Sequence, residues 1–188
     1  MLPSIIMNAA IIALLVLCLI LYIDKAKPYS RLFRYFTTLS NMLCAVSALF
    51  VLLFSGGPLP LWTVLLKYAG TAAVSVTLLT VFLFLGPVSH QWKDLLEGPE
   101  LALHLICPLL AIISFVFFEK TDLPAWTIAI GIAPVLVYGI IYGIMVVGVR
   151  EERRWRDFYG FNRNGRWKIS FLLMMLGASV IATALWLA

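Results

Sequence analysis

Thr37 and His104 are the two side chains of this sequence that could serve as a nucleophile and its base. Thr37 follows Arg34 by three residues and His104 follows Glu100 by four, each a short way into a long apolar stretch. A threonine hydroxyl is inert until a base removes its proton, and a neutral imidazole titrates in the right range to do so. If both stretches enter a membrane from the same side, hydroxyl and imidazole lie at matched depth. That depth is about 5 Å below their last charged neighbours, at roughly 1.5 Å of helix per residue.

Thr37 heads a polar stripe that continues through Ser40, Asn41, Cys44 and Ser47. The spacing puts all five on one helical face, spread over about 15 Å. Small and polar residues in such a stripe also let helices pack and hydrogen-bond in lipid, so a site and a packing seam fit the pattern alike. Asn41 is its most demanding member, because a buried amide brings four hydrogen-bonding positions to satisfy. His104 is the one histidine within an apolar stretch, which predicts that it faces the interior or a polar cavity. A structural hydrogen bond would explain it as well. Pro108, one turn further on, removes a backbone donor and predicts a kink.

The elements that must position these groups are six apolar stretches, at roughly 3–23, 34–54, 61–86, 100–118, 125–149 and 168–187. About 20 residues of helix cross a ~30 Å hydrocarbon core. The composition is 63% hydrophobic and 12% charged, about half the charge of a soluble domain. The fold expected is an all-α, polytopic integral membrane protein: a single domain, 1–188, folded as a six-helix transmembrane bundle. The opening residues Met1 to Ile6 lack the positive region of a cleavable signal, so the first span is expected to be retained. No Asp, Glu or Arg falls near the centre of a span, which argues against an ion-coupled transporter. Cys18, Cys44 and Cys107 lie within spans without metal-ligand spacing, and no cofactor or metal is expected.

The loops set the expected orientation. Twelve of the fourteen Lys and Arg residues belong to the first, third and fifth loops, and the other two are Lys67 and Lys120. The positive-inside rule then puts both termini on the extracytoplasmic side. It also accounts for the net charge of +5 without nucleic acid as a partner. Lys67, several residues into the third span, is expected to snorkel to the interface along its stem. In the third loop, Trp92 to Glu97 reads as one interfacial helical turn. In the fifth, Asp157 to Gly165 mixes aromatics with turn formers, fitting either a headgroup anchor or a lid. Gly139 and Gly143 form a GxxxG pair for close helix approach, with Tyr138 and Tyr142 on the adjacent face.

Arg34-Tyr35-Phe36-Thr37-Thr38-Leu39-Ser40-Asn41 and Leu103-His104-Leu105-Ile106-Cys107-Pro108-Leu109-Leu110 resemble two motifs of the androgen-induced protein family and its short bacterial relatives. Animal members are multi-pass threonine hydrolases of fatty-acid esters of hydroxy fatty acids. The resemblance implies Thr37 as nucleophile, His104 as base, and the bacterial inner membrane as location. Glu100 stands where animal members have Asn, so it is expected to orient the imidazole. Ser40 or Asn41 is expected to donate to the oxyanion, and Arg31 or Arg34 to meet a lipid headgroup. The competing expectation is a non-catalytic lipid- or small-molecule-binding protein, or a scaffold, in which the same stripe holds a ligand or locks packing.

Overall fold

A computed structural model describes residues 2–23, 29–90 and 92–188. Lys25 and Lys27 of the first loop lie outside the described residues. Six helices are long and apolar enough to span a membrane: α1 (Leu2–Tyr22), α2 (Phe36–Leu53), α3 (Leu61–Val88), α4 (Pro99–Glu119), α5 (Ala125–Gly148) and α6 (Trp167–Leu187). Among the described residues there is no strand. The polarity is that of a membrane protein: Leu21, Phe117, Leu172 and Leu176 face outward, whereas Asn8, Asn41, Ser47 and Thr71 are buried. In water such a surface would aggregate; in lipid it is solvated.

α3 is the central helix, half buried along its apolar window, whereas α6 is only 17% buried and lies at the edge. α3 packs on α2, α4, α5 and α6, and α1 closes the bundle against α2 and α4. Its run Ala69-Gly70-Thr71-Ala72-Ala73 is buried and small enough for close approach. Gly70 makes this concrete: a β-carbon there would sit 2.9 Å from Ser47 Oγ and 3.0 Å from Cys44 Cα. The GxxxG pair of α5 serves two neighbours rather than one helix, for Gly139 receives Met174 and Phe171 of α6, and Gly143 faces Phe161 of the fifth loop.

Four π turns interrupt the helices, at Val81–Leu85, Ala102–Ile106, Phe115–Glu119 and Ile144–Gly148. Each inserts an extra residue per turn and re-aims the side chains it carries. The one at Ala102–Ile106 stands where Pro108 predicts a kink. Pro108 cannot bond the His104 carbonyl one turn back, and the helix widens there, with Cys107 N–H reaching Ala102 O.

Lys67 corrects an expectation. It does not snorkel: it is wholly buried, because α3 is enclosed by other helices and its stem has no path to an interface. Its Nζ donates to Asn8 Oδ1 at 2.6 Å and lies 3.6 Å from Glu119 Oε2. Ser4, Asn8 and Ser114 all donate to the other Glu119 oxygen. The π turn ending α4 carries Glu119 into the bundle. A charge bridge thus ties α1, α3 and α4 together at the end of the bundle opposite Thr37. Desolvating two ions is costly unless both are paired and hydrogen-bonded, which the serines and Asn8 provide for one carboxylate oxygen.

Candidate functional site

α2 and α4 run in the same direction and touch where the π turn of α4 passes the first turns of α2. Here Thr37 Oγ1 and His104 Nε2 lie 3.4 Å apart. That is the long end of hydrogen bonding; catalytic pairs are often loose without substrate and tighten in the Michaelis complex. His104 is buried, and Thr37 is half-buried.

The tautomer of His104 follows from its other nitrogen. Nδ1 lies 2.8 Å from Leu95 O. A carbonyl can only accept, so Nδ1 carries a proton, and in the neutral ring Nε2 then presents a lone pair to Thr37. Leu95 ends a one-turn helix, Trp92–Leu95, in the third loop. The chain returns from it to α4 through Gly98, at φ 58° and ψ −133°, a conformation that belongs to glycine. Pro99 then fixes the first turn of α4.

Glu100, one turn before His104, does not hold the ring through Nδ1. Its Oε2 lies 3.5 Å from Nε2, on the reacting side. Tyr22 of α1 donates to the other oxygen. A carboxylate there stabilises the imidazolium formed when Nε2 takes a proton. The Glu100 side chain is about a third exposed, 34%, which opens a route for water to the same nitrogen.

Asn41 joins the two helices but points its donors elsewhere. Its Nδ2 donates to Thr37 O at 2.8 Å and Leu103 O at 3.1 Å, using both amide protons. Its Oδ1 is buried with no hydrogen-bond partner among the described residues. Ser40 bonds Thr37 O and the Thr77 hydroxyl of α3, at 3.1 and 2.9 Å. Both therefore brace the backbone at Thr37 rather than present a free N–H or O–H beside its hydroxyl. Arg31 is exposed in the 3-10 turn Tyr29–Arg34, and Arg34 lies over the Trp155 ring at 5.5 Å.

The fifth loop folds inward. Trp155 N–H donates to Met145 O at 3.0 Å, turning the chain back along α5. Asp157 accepts from Tyr142 OH at 3.1 Å and from the amides of Phe161 and Asn162, each at 2.8 Å. Phe158 N–H donates to Tyr142 OH at 2.7 Å, and Phe161 is buried. Tyr159 OH accepts from Phe36 N–H at 3.0 Å. α2 has no side-chain cap of its own, so this distant phenol caps it. No residue-type pattern marks Leu95 as the partner of His104 or Tyr159 as the cap of α2. The aromatic run of the fifth loop is the one visible sign of Tyr159.

A cleft of about 490 Å³ runs between α2 and α5, lined by neighbours of Thr37 in the chain but not by Thr37 or His104 themselves. Phe36, Leu39, Ser40 and Leu43 form one wall, and Ala133, Val137, Tyr138 and Ile141 the other. Phe33 and Trp155 close its end near Phe36. Its size is that of a small-ligand pocket, about 300–1,000 Å³.

No family model matches the chain, and no curated protein or solved structure is similar to it.

Proposed function

We propose that this protein is an intramembrane hydrolase of lipid esters, with Thr37 as nucleophile and His104 as general base and then general acid. The observation that carries the reading is the approach of His104 Nε2 to the Thr37 hydroxyl, 3.4 Å away. In this mechanism Thr37 Oγ1 attacks the ester carbonyl as Nε2 takes its proton. Glu100 offsets the imidazolium charge, Leu95 O holds the ring, and the proton then passes to the leaving alkoxide. Water entering past Glu100 hydrolyses the acyl-threonine by the same steps in reverse roles.

The substrate class follows from the surroundings. An acyl chain suits the apolar cleft between α2 and α5, and the exposed Arg31 suits an acidic headgroup or free carboxylate. Fatty-acid esters of hydroxy fatty acids meet both requirements, as the resemblance of the two motifs to the androgen-induced protein family implies. The basic loops support a cell-membrane protein with both termini outside and the pair near the cytoplasmic rim.

Turnover of such an ester by purified protein tests the reading. Thr37→Ala and His104→Ala should each remove nearly all activity, and the double variant little more, because the two act as one unit. Equal activity in all variants, or none in wild type across a broad panel of lipid esters, would leave the pair as a packing contact in a lipid-binding protein or scaffold.

A further inference from the structure

Attack on an ester carbonyl puts negative charge on oxygen, and the reaction needs a donor about 3 Å from that atom. The protons nearest Thr37 are mostly committed. Asn41 gives both to backbone carbonyls, and His104 Nδ1–H goes to Leu95 O. Tyr138 OH donates to Arg34 O at 2.8 Å.

Tyr159 is different. Its oxygen accepts from Phe36 N–H, and its single proton is directed to hydroxyl partners rather than locked on a backbone carbonyl. The Thr37 and Tyr138 hydroxyls lie within its hydrogen-bonding range. Its place is held by the hooks of the loop itself: Asp157 on the amides of Phe161 and Asn162, Tyr142 on Phe158 N–H, and the Tyr35 and Phe158 rings 4.5 Å apart. These contacts turn the segment toward α2 and α5. Burial, foremost, pushes the Tyr159 phenol up from its ordinary value, against the opposing effect of the Phe36 amide. The group therefore keeps its proton throughout the neutral range.

Resting on the hydrolase reading above, we propose that Tyr159 is a catalytic residue that donates a hydrogen bond to the oxyanion formed at Thr37, delivered there by the folded segment 155–162. As the Thr37 Oγ1–carbon bond forms, the carbonyl π pair moves onto oxygen and is held by the Tyr159 O–H, which keeps its proton. The pair then returns, the carbon–alkoxide bond breaks, and the alkoxide takes its proton from His104.

The test compares wild type, Tyr159→Phe and protein carrying a ring-fluorinated tyrosine at position 159. The substrate is a fatty-acid ester of a hydroxy fatty acid, and thermal unfolding is recorded for each form. Loss of one oxyanion donor lowers kcat by about 10²–10³-fold. Tyr159→Phe should show that loss with KM little changed and most of its folded stability kept, because the ring is retained. Fluorination makes the phenol more acidic and should change kcat and shift the alkaline limb of its pH profile, effects a purely structural cap would not produce. Wild-type kcat in Tyr159→Phe, or a loss that only tracks unfolding with no response to fluorination, overturns the proposal while the Thr37–His104 reading stands. Wild type without turnover and without an adduct on Thr37 overturns both.

Discussion

The Leu95 carbonyl and His104 Nδ1, 2.8 Å apart, determine which nitrogen of the imidazole faces Thr37. A backbone carbonyl cannot donate, so the ring has one tautomer available, and that tautomer leaves a lone pair on Nε2. The chemistry of α2 and α4 therefore depends on the loop before α4, where Gly98 makes the turn.

Gly98→Ala should report this dependence. A β-carbon at Gly98 meets nothing within 4 Å, so any effect comes from the backbone at φ 58°. Forcing a non-glycine residue into such a region costs about 1–3 kcal/mol. The variant should unfold earlier and lose activity together, because the turn relaxes and Leu95 O leaves the ring. Unchanged stability and turnover would separate the loop from the site.

The second expectation concerns the buried charge bridge. Lys67→Met alone leaves Glu119 buried without its cation and should destabilise the protein by about 3–5 kcal/mol. The double variant Lys67→Met/Glu119→Gln removes both charges and should recover most of that loss. Reversible unfolding in mixed micelles measures the difference. A single variant as stable as the parent would contradict the geometry at 3.6 Å.

Asn41→Ala removes one hydrogen bond between α2 and α4, to Leu103 O, and one within α2, to Thr37 O; an interhelical bond in a membrane is worth about 0.6 kcal/mol, up to about 1.7. A modest stability loss is expected, with a larger fall in kcat than in binding, since the bracing of Thr37 against Leu103 goes with it. If Asn41 supplied the oxyanion donor instead, its loss would match that of Tyr159→Phe in size and leave stability nearly intact.

Gly70→Val tests the approach of α2 to α3. Its β-carbon alone would stand 3.0 Å from Cys44 Cα, where backbone must move rather than a side-chain tip. Overpacking of this kind typically costs about 1–3 kcal/mol. Since α2 carries Thr37, activity should fall along with stability. Wild-type unfolding would mean the crossing is wider than described.

What the sequence carried, and what it did not, follows from the physics of each feature. The six spans were legible because a hydrocarbon core imposes length and composition on every one of them. The matched depth of Thr37 and His104 was legible because helical rise is constant and both follow charged residues at their rim. The π turns were not, for they leave no residue-type signature, yet they aim both His104 and Glu119 inward. The distance of Lys67 from the span end is compatible with snorkelling; what buries it instead is the central position of α3, which no local pattern contains. Leu95 acts through its backbone and Tyr159 from more than a hundred residues away in sequence. Neither contact can be read without the fold.

The central claim is that Thr37 becomes acylated, and mass spectrometry of the purified protein after reaction with a fluorophosphonate or an activated acyl ester tests it most directly. The account predicts a covalent adduct on Thr37, absent in Thr37→Ala and strongly reduced in His104→Ala at matched folding. An adduct on another residue in wild type, or one at Thr37 that forms equally fast without His104, would contradict it.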